Sequence, residues 1–253
     1  MSIVCVGAGP GDEALLTGEA RREIKAADAV FASARYAALR PDAKPLDKLD
    51  DALAEIGRLN ERGLRVAVLV SGDPGLYSLL PVLRERFGQV EVAPGVGALQ
   101  LLCARLGEPY QDAKILSAHG RALEVGALGH AVRTHERTLV FLDAARGPNW
   151  LCAALLAEGL AHAEVTVGEN LAMPGERIAH GAPADLENET FGPLCLARVF
   201  NPRPLAGLPP VGLADEDFMR GKTPMTKREA RVMILAYLRP RPDSVVWDVG
   251  AGT

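Results

Sequence analysis

Before residue 100 the chain repeats one arrangement, a short apolar run that breaks straight into a glycine loop. Residues 3–6 (IVCV) lead into GAGPGD at 7–12, residues 65–70 (RVAVLV) into SGDPG at 71–75, and residues 90–92 (VEV) into PGVGA at 94–98. Between them, apolar residues recur at helical spacing: Leu49, Leu53 and Ile56, then Leu76, Leu79, Leu80 and Leu83, with Leu99, Leu102 and Leu106 after the third loop. Residues 29–32 read as a further strand, and Thr17 reads as the cap of the helix before it, with Glu19 in its first turn. Strands that alternate with helices imply a mainly parallel sheet. The run at 65–70 is almost continuously apolar, as expected for a strand covered on both faces. The glycine loops should therefore gather at the carboxyl edge of one sheet, where such sheets bind ligands.

The pattern changes at Glu108-Pro109. Beyond it, strands are expected at 114–117, 138–142, 164–168, 177–180 and 194–200, with helices near 122–132 and 150–158. More strand and fewer long helices point to a second domain with a mixed sheet. From 201 to 225 the chain carries Pro202, Pro204, Pro209, Pro210 and Pro224 without periodicity, the texture of a linker. TKRE at 226–229 then reads as a capping box before a helix at 230–238, and SVVWDVGAGT at 244–253 as a strand and its glycine turn. So few elements cannot bury a core alone, so the sequence predicts a chain cut inside a further domain. The predicted fold class is α/β throughout. It comprises an N-terminal α/β domain at 1–109, a C-terminal α/β domain with a mixed sheet at 110–200, a Pro-rich linker at 201–225, and the start of another domain at 226–253.

Composition narrows the partners. The formal net charge is -4 and no stretch forms a basic stripe, which argues against nucleic acid. No apolar run reaches the roughly 18 residues that span a bilayer. The N-terminus MSIVCVGAGPGD lacks the basic region and cleavage site of a signal peptide. A cytoplasmic protein with no membrane partner is expected. Cys5, Cys103, Cys152 and Cys195 are far apart in apolar surroundings and read as buried thiols. His130 and His135 have no ligand partner nearby, so a solvated helix face is expected there and no metal site anywhere.

The first loop is not a dinucleotide fingerprint. Its spacing is G-x-G-x-G instead of G-x-G-x-x-G, the second strand ends in Ser33-Ala-Arg35 without a carboxylate to hold a ribose, and Pro10 stiffens the turn. These features count against a nicotinamide-dependent oxidoreductase, although the glycines still let backbone approach a ligand. In the second loop Asp73 follows a buried strand directly. There it can accept hydrogen bonds from an amine or a ribose hydroxyl, or favour a cation, and it also suits the cap of a helix after Pro74.

Taken in order and spacing, VGAGPGDEALLT, VSGDPGLYS and PGVGALQ resemble the tetrapyrrole methyltransferases, over about the first 200 residues. The resemblance implies two α/β domains with S-adenosylmethionine in the cleft between them, S-adenosylhomocysteine as product, and a homodimer. YQDAKILSAHGR at 110–121 and VGENLAMPGERI at 167–178 resemble the branch of cobalamin biosynthesis that methylates carbon 5 of a precorrin. The tail from Thr226 to Thr253 resembles the start of the second enzyme of a fusion, a Rossmann-type methyltransferase that methylates carbon 15 and removes a carboxyl group.

Position by position, the resemblance implies that Gly72, Asp73, Leu76, Gly97, Ala98, Leu142 and Asp143 bind the cofactor. The family usually has Ser or Thr at the two positions held here by Gly97 and Ala98, so only backbone contacts are expected from them. Gly9, Pro10, Gly11 and Asp12 are expected to face the tetrapyrrole. Its carboxylates call for cations, and Arg121, Arg35 and Arg146 are the candidates, with His119 available to relay a proton. The alternatives are another tetrapyrrole methyltransferase, a relative acting on RNA or a protein side chain, or a non-catalytic module that docks substrate.

Overall fold

A computed structural model describes residues 2–120, 122–205, 212–217, 225–240 and 245–249. Contacts divide the chain into two units, residues 1–202 and 203–253.

The first unit holds two five-stranded sheets. The first contains β1 (Ser2–Gly7), β2 (Ala29–Ala32), β3 (Lys44–Pro45), β4 (Arg65–Val70) and β5 (Glu91–Ala93), in the order β3-β2-β4-β1-β5. All its pairings are parallel. Side chains alternate between its faces, as the two-residue period of a strand requires. Val4, Val6, Ala67 and Leu69 pack on one side with Ala20 and Ile24 of α1 (Gly18–Ala26). Ile3, Cys5, Val66, Val68 and Val70 pack on the other with Ile56 of α2 (Leu49–Glu61) and Leu83 of α3 (Leu80–Phe87). Thr17 caps α1 as expected, accepting from Ala20 N at 3.0 Å, and its hydroxyl also donates to the Pro94 carbonyl at 3.0 Å.

Helix α4 (Ala98–Leu106) leaves the third glycine loop and joins the sheets: its Leu99 and Leu102 share a core with Leu139, Leu171 and Leu196. The second sheet has the order β6-β7-β10-β8-β9, from β6 (Lys114–Ser117), β7 (Arg137–Phe141), β8 (Glu164–Glu169), β9 (Arg177–Gly181) and β10 (Cys195–Phe200). Only β6 and β7 pair in parallel, so the sheet is mixed. Its far face is covered by α5 (Val125–Thr134) and α6 (Pro148–Ala157), with the short α7 (Pro183–Leu186) beside them. At the joint between sheets, Glu108 pairs with Arg198 of β10, which is only 8% exposed, and approaches Arg137.

Some local expectations fail. Residues 74–79 are turns, and α3 begins only at Leu80. Pro74 and Gly75 break the helical pattern that the leucines suggest. In the second unit α8 (Arg228–Leu238) forms, but its N-cap is Lys227 with no side-chain capping bond; the expected box at Thr226 and Glu229 is not made. Residues 245–248 take no strand conformation and are exposed, since a strand needs a neighbour to pair with. Among the described residues no helix is long and apolar enough to cross a membrane, and no metal-binding cluster occurs.

Candidate active site

The carboxyl edge of the first sheet is a close-packed backbone surface. Gly72 N donates to Gly9 O at 2.9 Å, and Ala8 N to Val70 O at 2.8 Å. A Cβ on Gly7 would lie 2.5 Å from Gly95 N and 2.7 Å from Gly72 O, so no side chain fits where the three loops meet. Gly72 itself sits at φ +66°, a conformation that side chains resist. Asp73 ties the second loop to the third: one carboxylate oxygen accepts from Gly75 N at 2.7 Å and the other from Gly95 N at 3.1 Å. The helix cap foreseen for Asp73 is replaced by this bridge, because no helix follows it.

Across from these loops lie the ends of the second sheet, and the two enclose a cavity of about 440 Å³. Of the residues singled out in the sequence, Pro10, Arg35, Leu76, Ala98, His119 and Leu142 line it. Arg35 is held in place by donating to Ser71 Oγ at 2.6 Å and Tyr36 Oη at 2.7 Å, and Tyr36 in turn donates to Gly9 O at 2.8 Å. The lining contains no Asp or Glu, while Arg35 and His119 supply cationic or proton-carrying groups. Such a wall favours an anionic ligand group and offers no carboxylate base.

Other expected residues sit elsewhere. Gly11 and Asp12 line a second cavity of about 530 Å³ with Glu13, Arg105, Met173 and Glu176. Asp12 accepts from Ala14 N at 2.8 Å, and its acidic neighbourhood is poorly suited to a polyanion. The Gly9 carbonyl is taken up by Gly72 N and the Tyr36 hydroxyl. Asp143 does not line the main cavity. It accepts from Gly120 N (3.0 Å), Ala145 N (3.0 Å) and Arg146 N (2.8 Å), and these backbone donors, Gly120 first, hold its carboxyl below its ordinary range. Asp143 thus staples the turn that carries His119. The Arg146 guanidinium lies over the Trp150 ring, 5.7 Å from its centroid. Arg121 lies outside the described residues.

The structure adds residues that the sequence did not single out. Tyr77 lines the cavity at φ 49°, its ring edge-on to Phe141 with centroids 5.7 Å apart and its hydroxyl 3.4 Å from Ile115 O. Ser117, Asn170 and Met173 also line it. Tyr77, Ser117 and Asn170 fall inside the three motifs VSGDPGLYS, LSAHGR and VGENLA. Nothing in those strings says which side chains turn inward.

A parallel sheet whose loops face a mixed sheet across an acid-free cavity has the build of a small-molecule enzyme. The chain belongs to the tetrapyrrole (corrin/porphyrin) methylases, whose family model matches residues 2–187. A second model, of a precorrin methyltransferase domain, matches residues 217–253. Among curated relatives, a precorrin-6Y C(5,15)-methyltransferase [decarboxylating] of Sinorhizobium is 30% identical over 265 residues, covering 99% of this chain and 62% of that protein. A cobalt-precorrin-7 C(5)-methyltransferase of Salmonella typhimurium is 34% identical over 196 residues, covering 75% of this chain and 94% of its own length. The crystal structure of a uroporphyrin-III C-methyltransferase from Thermus thermophilus, complexed with S-adenosylhomocysteine, matches with a TM-score of 0.63 at 25% identity, over 79% of this chain and 97% of that one. The fold expected from the glycine-loop motifs is therefore the fold observed. The chain spans under two thirds of the length of the first of these relatives.

Proposed function

We propose that this chain transfers a methyl group from S-adenosylmethionine to carbon 5 of a precorrin in cobalamin biosynthesis. The observation that carries the proposal is the acid-free cavity between the glycine loops and the second sheet, in a chain whose relatives are named for methylation at that carbon. S-adenosylmethionine supplies an electrophilic methyl on a sulfonium. The cavity suits it: apolar walls, a few placed polar groups, and glycine loops that expose backbone. Leu76, Ala98 and Leu142 line its place, with Gly72, Asp73 and Gly97 shaping the floor behind them. Arg35 is fixed to meet a substrate carboxylate, and His119 is placed to take a proton. Holding two reactants in line contributes up to about 7–11 kcal/mol, so the protein needs no strong base.

Residues 226–253 are proposed to open a second, Rossmann-type methyltransferase domain, which would act at carbon 15 with decarboxylation. A homodimer in the cytoplasm completes the reading. It is tested by giving the chain S-adenosylmethionine and the corrin intermediate already methylated at carbon 15 and decarboxylated. A product heavier by one methyl, with S-adenosylhomocysteine formed, supports it. No mass gain from a folded chain that binds both ligands would refute it in favour of a docking module.

A further inference from the structure

One side of the main cavity is closed by contact between two loops. The neighbouring cavity of about 530 Å³ begins there. Pro10 lines the main cavity and Gly11 the second, and on the opposing loop Leu171 lines the main cavity and Ala172 the second. Among the described residues Met173 alone lines both. Its side chain lies on Gly11, where an added Cβ would come within 2.6 Å of Met173 Cγ and 3.2 Å of its Sδ. The partition between the cavities is thus one unbranched, adaptable side chain resting on a residue that has none. The loop that carries it, residues 170–176 between β8 and β9, is strained and lightly held. Asn170 stands at φ 49° and Ala172 at φ 55°, a conformation that alanine resists. Leu171 anchors the start of the loop in the core that α4 shares with the second sheet, but residues 174–176 are exposed. The far end is tied to α4 through Glu176, which accepts from Arg105 at 2.9 Å and from Ala172 N at 2.7 Å. The Arg105 side chain is 46% exposed, and a solvated ion pair of this kind contributes little.

We propose that residues 170–176 form a lid, with Met173 as its bolt and the Arg105–Glu176 pair as its latch, and that the methyl donor and its spent product pass beneath it through the second cavity. The inference rests on the S-adenosylmethionine reading above. Two observations select this traffic. The main cavity of about 440 Å³ holds a small ligand. A precorrin with its acid side chains is larger, so one seated against Arg35 covers the opening and traps the donor behind it. A side passage lets the donor exchange independently of the ring. The second observation is charge. The passage is lined by Asp12, Glu13 and Glu176 against Arg105. Glu13 pairs with Arg21 at 2.5 Å and Glu176 with Arg105, whereas Asp12 is bonded to the backbone Ala14 N and keeps its charge. S-adenosylmethionine carries a net positive charge, its product none, and a precorrin many negative ones. An acidic passage admits the first two and repels the third.

Surface plasmon resonance on the immobilised chain reads both rates of ligand exchange. Arg105→Gln releases the latch equally with and without ligand. Association and dissociation of S-adenosylhomocysteine should therefore both quicken about two- to fivefold, leaving Kd within about twofold. Glu176→Gln, which keeps an acceptor for Ala172 N, should do the same from the other side. A merely structural ion pair would move neither rate, so unchanged rates in either variant overturn the proposal. Faster dissociation alone would make the pair part of the bound state and overturn it too. Asp12→Asn keeps an acceptor for Ala14 N and removes the charge. At low salt it should slow the association of S-adenosylmethionine about two- to threefold and leave that of S-adenosylhomocysteine unaltered. Equal effects on both ligands, or none on either, would put the route elsewhere and overturn the proposal. A wild-type chain that binds neither ligand would sink the methyl-donor reading itself; binding whose rates ignore the latch sinks the lid alone.

Discussion

Gly95 and Gly97 stand two residues apart in one loop and should respond to substitution in opposite ways. A Cβ on Gly95 would come within 2.8 Å of Gly7 Cα and would also strike the Gly72 carbonyl. Those neighbours are backbone of β1 and of the second loop, and they cannot yield without opening the site. Gly95→Ala should therefore destabilise the fold by several kcal/mol, roughly the range of overpacking at a rigid position, and abolish S-adenosylhomocysteine binding. A Cβ on Gly97 meets only the far end of Gln100. Gly97 is also the N-cap of α4 and gives it no side-chain bond. Gly97→Ser should fold with stability unchanged or raised by a few tenths of a kcal/mol, as thermal unfolding would show. The glycine loops are legible in the sequence because glycines gather directly after a strand where backbone must pass close to backbone or ligand. The inward turn of Tyr77 and Asn170 is not legible, because the orientation of a side chain beyond a strand end depends on backbone angles that no local pattern fixes.

Elements read well where their period is sustained by burial, and poorly at their ends. Four strands of the first sheet, α2 and α4 follow from apolar runs and spacing, α1 from its cap at Thr17, and the mixed character of the second sheet from its density of strands, whereas the two-residue β3 carries no such signal. The start of α3 escapes the pattern because leucines at 76, 79 and 80 mimic a helix that Pro74 and Gly75 prevent. The role of Asp143 is likewise hidden, since its partners Gly120, Ala145 and Arg146 come from turns on both sides of β7. That staple makes a prediction about pH. Because the folded pKa of Asp143 lies below its ordinary value of 3.8, the stabilisation is complete above that value and is lost as pH falls through the folded pKa. The Gly120 amide resonance should then be constant from neutral pH down to the ordinary carboxylate range and titrate only below it. A midpoint above that range would show that the bond is not made in solution. In Asp143→Asn the titration should vanish.

For the whole molecule, four cysteines dispersed through the cores make a sensitive report of integrity. All four are buried and unpaired. Burial pushes the thiols of Cys5 and Cys152 up to about 12 and that of Cys195 up to about 11, and raises Cys103 as well. The thiolate is the reactive form, so native protein at about pH 8, near the ordinary thiol pKa, should resist iodoacetamide at every cysteine, while denaturant should make all four react. Native alkylation of Cys5 or Cys152, read by mass spectrometry, would contradict the packing of both sheets. The interlocked glycine loops carry a consequence of a different kind. Gly7 and Gly95 obstruct each other and both meet the Gly72 carbonyl, while Gly72 itself is held at φ +66°, so none of the three takes a side chain without backbone strain or a matching retreat elsewhere. The floor of the site is thereby closed to gradual mutation. The opposite wall, made of side chains such as Ser117, Asn170 and Leu194, has no such lock. Divergence toward new substrates among chains of this build should be written there, on the second sheet, while the first remains a fixed inheritance.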